Sequence, residues 1–144
     1  MNRLWVIRMC DLFLGIPSLL LDRDPTSKDR RKLYGGAGSH RIRNKYGVEY
    51  RSLSNFWVSR PSLVELIYNL ATVAVRIVMV DKINEHIWNN EINPDKMRTT
   101  INNMDIGNVD KFMVVVAKYV GPELMTRIYN EATKPYTGDL SAWE

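Results

Sequence analysis

From Pro61 to Val80 the polar residues Ser62, Glu65, Asn69, Thr72 and Arg76 recur at steps of 3, 4, 3 and 4, with mostly apolar residues between them. That spacing follows the helical period, and so narrow a polar stripe marks a helix buried on most sides. The segment predicts a helix opened by Pro61 and packed across the back of a sheet. The run from Leu63 to Val80 is long enough to raise a membrane span, but Glu65, Asn69 and Arg76 interrupt it, so a buried helix of a soluble domain is the better reading.

The other elements are shorter. Residues 3–14 read as a helix with Leu4, Ile7, Leu12 and Leu14 on its apolar side, stopped by Gly15 and prevented from continuing by Pro17. Arg8 and Asp11 interrupt this apolar stretch and no small-residue cleavage site follows it, which argues against a signal peptide. Ser18-Leu19-Leu20-Leu21 reads as a short buried strand, and Asp22 to Lys32 as a charged, solvated loop. Residues 41–43 and 48–53 read as two strands joined at Asn44-Lys45-Tyr46-Gly47. After the long helix, Asn93-Pro94 predicts a capped helix start, Asn108 a cap for Val109 to Val120, and Gly121-Pro122 a stop followed by a new start. Leu124, Met125, Ile128 and Tyr129 are expected to face inward from that last helix, and the tail from Pro135 to Glu144 shows no periodicity. The sum is an α+β fold: a small antiparallel sheet from residues 18–21, 40–44 and 47–54, backed by the 61–80 helix, with a helical C-terminal part. At 144 residues the chain is one domain or a fragment of one, residues 1–60 holding the sheet and loop and 61–144 mainly helical.

Charge is distributed unevenly. Residues 22–60 hold ten Lys and Arg against four Asp and Glu, whereas the rest of the chain holds ten against twelve, so the net +4 is a local feature. A basic loop carrying Gly35-Gly36-Ala37-Gly38 and leading into a strand suits a triphosphate better than a long nucleic-acid backbone. The basic residues span one loop and hairpin with no known aromatic-stacking motif beside them, so nucleic acid is not the expected partner. The single cysteine, Cys10, lies in an apolar helical pattern and reads as a core residue rather than a nucleophile. His40 reads as a surface loop residue, and His86 has no Cys or His neighbour with which to hold a metal.

In the second strand Glu49 and Arg51 fall on one face, roughly 7 Å apart along the chain. Arg31, Arg41, Arg43 and Arg51 converge if the loop folds over the hairpin, and grouped guanidiniums bind phosphate oxygens through charge-assisted, often bidentate bonds. A carboxylate among them is what a phosphate-bridging Mg²⁺ needs. On pattern alone the same Arg–Glu alternation more often marks a solvated sheet face, and the glycine run matches neither a Walker A loop nor a dinucleotide fingerprint.

Three segments in combination carry a family resemblance: Asp11-Leu12-Phe13-Leu14-Gly15-Ile16-Pro17-Ser18, Arg30-Arg31-Lys32-Leu33-Tyr34-Gly35-Gly36-Ala37-Gly38, and Val48-Glu49-Tyr50-Arg51-Ser52-Leu53-Ser54-Asn55-Phe56-Trp57. Over about residues 5–80 the chain resembles the C-terminal half of the phage-encoded carboxylate–amine (COOH·NH2) ligases, relatives of glutamine synthetase and glutamate–cysteine ligase. The resemblance implies a ligase that uses ATP and Mg²⁺ to phosphorylate a carboxylate, after which an amine attacks the acyl phosphate. It implies Arg31 (or Arg30 in its place) as the loop arginine, Arg41 as the second phosphate arginine, Glu49 as the metal carboxylate and Arg51 as the catalytic arginine at the transferred phosphoryl group.

Members of that family carry, in an N-terminal half, further metal-binding carboxylates, a Gly-His-x-His type segment and part of the sheet. No Glu-x-Glu and no His-x-His occurs in this chain. The resemblance therefore implies half an active site, completed by a homo-oligomer or by a partner chain supplying the missing half. Its substrates would be a nucleotide, a small carboxylate and an amine. The alternative is a non-catalytic, phage-encoded interaction protein derived from the same fold that binds a host protein. Either way the expected location is the cytoplasm, that of the infected host if the chain is phage-encoded, with no membrane involved.

Overall fold

The structure, a computed structural model, describes residues 2–45 and 47–135. Its centre is a rod of helix from Arg3 to Leu21. Helix α1 (Arg3–Cys10) passes through a π-helical turn at Asp11–Gly15 directly into α2 (Ile16–Leu21). The expected stop at Gly15 and the strand at 18–21 are thus both corrected. The π turn is closed by the Ile16 N–H on the Asp11 carbonyl. This wider turn accommodates Pro17, which lacks an N–H and in a regular helix would collide with the carbonyl four residues back. A four-residue apolar run is buried equally well as strand or helix, and here the helix continues. Met9, Leu12, Phe13, Ile16 and Ser18 are fully enclosed, and Cys10 is buried among them as expected of a core residue.

The charged segment after the rod is also not a loop throughout. Asp24 accepts hydrogen bonds from the Thr26 N–H and hydroxyl, and α3 (Ser27–Leu33) follows. Its buried face is Ser27 and Arg31, one turn apart. No apolar stripe announces it.

Strands β1 (His40–Arg43) and β2 (Gly47–Tyr50) form a two-stranded antiparallel hairpin with Arg41 opposite Glu49 and Ile42 opposite Val48. The fold is α+β as expected, though the sheet lacks the third strand and β2 ends three residues early. Helix α4 (Pro61–Arg76), extended by a π turn at Ile77–Asp81, appears where the period placed it. It packs on α1, the first π turn and α8, while α1 makes the main contact with β2.

The remaining chain is helical: α5 (Asn84–His86) with a π turn to Glu91, α6 (Pro94–Asn103), α7 (Val109–Val120) and α8 (Pro122–Thr133). Asn93 caps α6 through its side chain, accepting from the Lys96 N–H at 3.1 Å. Asn108 precedes α7 without capping it; its amide donates to Asp105 instead. Gly121, at φ 85°, breaks the chain between α7 and α8. Ile128 is buried on α8, but Tyr129 is exposed, against expectation. Helices α6, α7 and α8 all pack on the rod's second half.

By length and composition both Arg3–Leu21 and Pro61–Asp81 could cross a membrane. The most apolar window of the first is 78% buried in the protein, as a core helix should be, while that of the second is only 39% buried.

Candidate functional site

Strand alternation and register put Arg41, Arg43, Glu49 and Arg51 on one face of the hairpin. Glu49 is the hub. Its Oε2 accepts from Arg43 Nε at 2.9 Å, and its Oε1 lies 3.6 Å from Arg51 Nε. The Arg43 hydrogen bond holds the Glu49 carboxyl below its ordinary range against slight desolvation, and the charges of Arg43, Arg41 and Arg51 act in the same direction. Three guanidiniums against one carboxylate leave this face strongly positive.

Arg31 is elsewhere. It lies on the inner side of α3, only 4% exposed, with Nη2 donating to the Ser18 hydroxyl at 3.1 Å. Its buried Nε and Nη1 have no hydrogen-bond partner. Desolvation lowers its pKa, opposed mainly by the nearby Tyr50, Asp22 and Asp11. The structure does not bring it to the hairpin face.

Arg30 turns to the backbone just beyond β2. It donates to the carbonyls of Arg51 (2.9 Å), Ser52 (3.0 Å) and Leu53 (2.7 Å). A Cβ on Gly35 would collide with this guanidinium, so the glycine leaves room for the arginine. The other loop groups are similarly engaged. The Gly35 N–H bonds Arg30 O, Ala37 N–H bonds Asn102 Oδ1, Gly38 N–H bonds Asp11 Oδ1, and Ser39 N–H bonds Gly36 O. Three of the four amides of the glycine run are thus engaged, and the run is a packed structural turn rather than a cradle of free amides.

Asp11, at the start of the π turn, was not singled out in the sequence as a functional residue. It is buried, and accepts from Tyr50 Oη at 2.7 Å and from the Gly38 N–H at 2.9 Å. Burial raises its pKa, while the Tyr50 and Gly38 hydrogen bonds and the charges of Arg98 and Arg31 lower it, with burial prevailing. The signal was available: one acid in an otherwise apolar helical run requires a polar partner.

Beside the hairpin lies an open cleft of about 950 Å³ whose walls include Glu49, Arg51, Arg30, Asp24, Asp29 and Trp57. It is large enough for a drug-sized ligand. Arg51 connects the positive face with the cleft.

The metal assignment for Glu49 meets a chemical obstacle. Both its oxygens face guanidiniums, and among the described residues no three His, Cys, Asp or Glu side chains gather where they could hold an ion. Mg²⁺ requires near-octahedral oxygen ligation. These residues do not fit a Mg²⁺ site.

The family model for the phage phiEco32-like COOH.NH2 ligase-type 2 matches residues 2–96, and the chain belongs to that family. No curated protein and no solved structure matches it.

Proposed function

We propose that this chain forms the C-terminal catalytic portion of an ATP-dependent carboxylate–amine ligase. The observation that carries the proposal is Arg51, which stands on the positive hairpin face and in the wall of the cleft at once. In this reading a substrate carboxylate attacks the terminal phosphorus of ATP, giving an acyl phosphate and ADP. The amine then attacks the acyl carbon, releases inorganic phosphate and loses a proton, leaving an amide. Arg41, Arg43 and Arg51 neutralise the phosphate charge, and Arg51 is the group nearest the transferred phosphoryl. Glu49 holds Arg43 and Arg51 in position before nucleotide arrives.

A second chain is part of the proposal, since the described residues supply too few carboxylates for metal-assisted phosphoryl transfer. A non-catalytic interaction role is the second reading, favoured by the large share of α4 left open.

Calorimetric titration with an ATP analogue tests the reading. Binding by the parent chain that falls at least tenfold in Arg51→Ala, with the fold intact by circular dichroism, supports the site. Absence of binding, with and without a candidate second chain, contradicts the ligase reading.

A further inference from the structure

The long helix read from sequence as buried on most sides is not so buried here. Along α4 and its π turn, Tyr68, Val75, Met79 and Val80 are all exposed, Tyr68 and Val80 at 70% each. With Ala71, Thr72 and Arg76 they line one continuous shallow groove. The helical period puts Glu65, Tyr68, Thr72, Arg76 and Met79 on a single stripe. Glu65 and Arg76 carry opposite charges on it, about 16 Å apart along the axis.

This arrangement is complementary to itself when reversed. A stripe with an acid near one end, a base near the other and apolar residues between matches an antiparallel copy across a two-fold axis. An axis beside Ala71 and Thr72 sets Tyr68 against Val75 of the copy and brings Glu65 within a long side chain's reach of the copy's Arg76. The small side chains at the centre permit close approach of the two helices. Glu65 pairs with Arg127 at 3.5 Å, and Arg76 pairs with Asp81 at 3.3 Å and reaches the Tyr119 carbonyl at 3.5 Å; all three contacts are long, which leaves both side chains able to turn to a second contact.

We propose that this face of α4 is where a second copy of the chain docks, antiparallel, to make a two-fold dimer. One helix face falls short of the roughly 800 Å² per partner of a standard interface, so the dimer dissociates on dilution. The inference does not depend on the ligase reading, because its test reads association and not nucleotide binding.

Sedimentation velocity across a concentration series is the experiment. The parent chain shifts from monomer to dimer as concentration rises. Thr72→Lys, a substitution on the exposed face that a helix tolerates, keeps the chain monomeric with unchanged circular dichroism. Glu65→Arg alone weakens the dimer, and adding Arg76→Glu restores it, which only the antiparallel pairing explains. A parent that stays monomeric throughout overturns the proposal, as does a dimer indifferent to Thr72→Lys. Partitioning of the parent to phosphatidylcholine vesicles without dimer formation also overturns it, by assigning the face to lipid.

Discussion

The Tyr50 hydroxyl donates a 2.7 Å hydrogen bond to the buried Asp11 carboxylate, tying strand β2 to the π turn at the centre of the helical rod. Because side chains alternate along a strand, fixing Tyr50 inward fixes Glu49 and Arg51 outward. Burial, reinforced by the adjacent Asp11, pushes the Tyr50 hydroxyl well above its ordinary value, so it remains a donor. Tyr50→Phe leaves the carboxylate without this partner and is expected to cost about 1–3 kcal/mol. Urea denaturation measures the loss, and an unchanged midpoint would rule out the tie.

Asp11 also makes stability depend on pH. Its folded-state pKa lies above the ordinary 3.8, because burial disfavours the charged form. Its contribution to stability is therefore fully present below 3.8 and lost as pH rises through the raised value. Asp11→Asn keeps an acceptor for Tyr50 and Gly38 and removes that loss. The stability difference between variant and parent should move in the variant's favour as pH climbs from about 3 to about 7. Denaturation at several pH values checks the slope; the opposite slope would mean the carboxylate is net stabilised by its neighbours.

Arg30 and Gly35 act as one unit. Arg30→Ala removes three hydrogen bonds to the Arg51, Ser52 and Leu53 carbonyls and should cost about 2–4 kcal/mol. Gly35→Ala displaces the same guanidinium. The double variant should therefore be no worse than the worse single one, a non-additivity expected of residues that share a contact. Additive losses would show that Gly35 serves another purpose.

The Arg60–Glu131 pair, at 2.7 Å, fastens the start of α4 to the end of α8. Burial works against the Glu131 charge, but hydrogen bonds from Lys134, Ser62 and Arg60 outweigh it and bring its pKa below 4.5. That contribution is present above 4.5 and lost as pH falls through the lowered value. Glu131→Ala should cost about 2–3 kcal/mol at neutral pH, less than a fully buried pair because Arg60 retains some solvent. Parent and variant stabilities should converge in acid.

Much of the helical frame was legible in the sequence. The stepped polar residues of α4 and the Asn93-Pro94 start of α6 each follow from a local rule. The rod was misread because Gly15 and Pro17 normally end a helix, and nothing local reveals the π turn that lets Pro17 continue one. Helix α3 was invisible because its buried face is a serine and an arginine. At the site, the shared face of Glu49 and Arg51 was readable from strand alternation alone. The fates of Arg30 and Arg31 were not, since neighbouring arginines of one short helix point to different sides and only tertiary packing decides which.

On the proposed ligase reading, phosphate is handled by the hairpin guanidiniums and not by the amides of the glycine run. Nitrogen-15 NMR of the chain titrated with ATP tests it residue by residue. The Nε resonances of Arg41, Arg43 and Arg51 are expected to shift while the amides of Gly35, Ala37 and Gly38 stay in place. Shifts confined to those amides, with the arginine resonances unmoved, would contradict it.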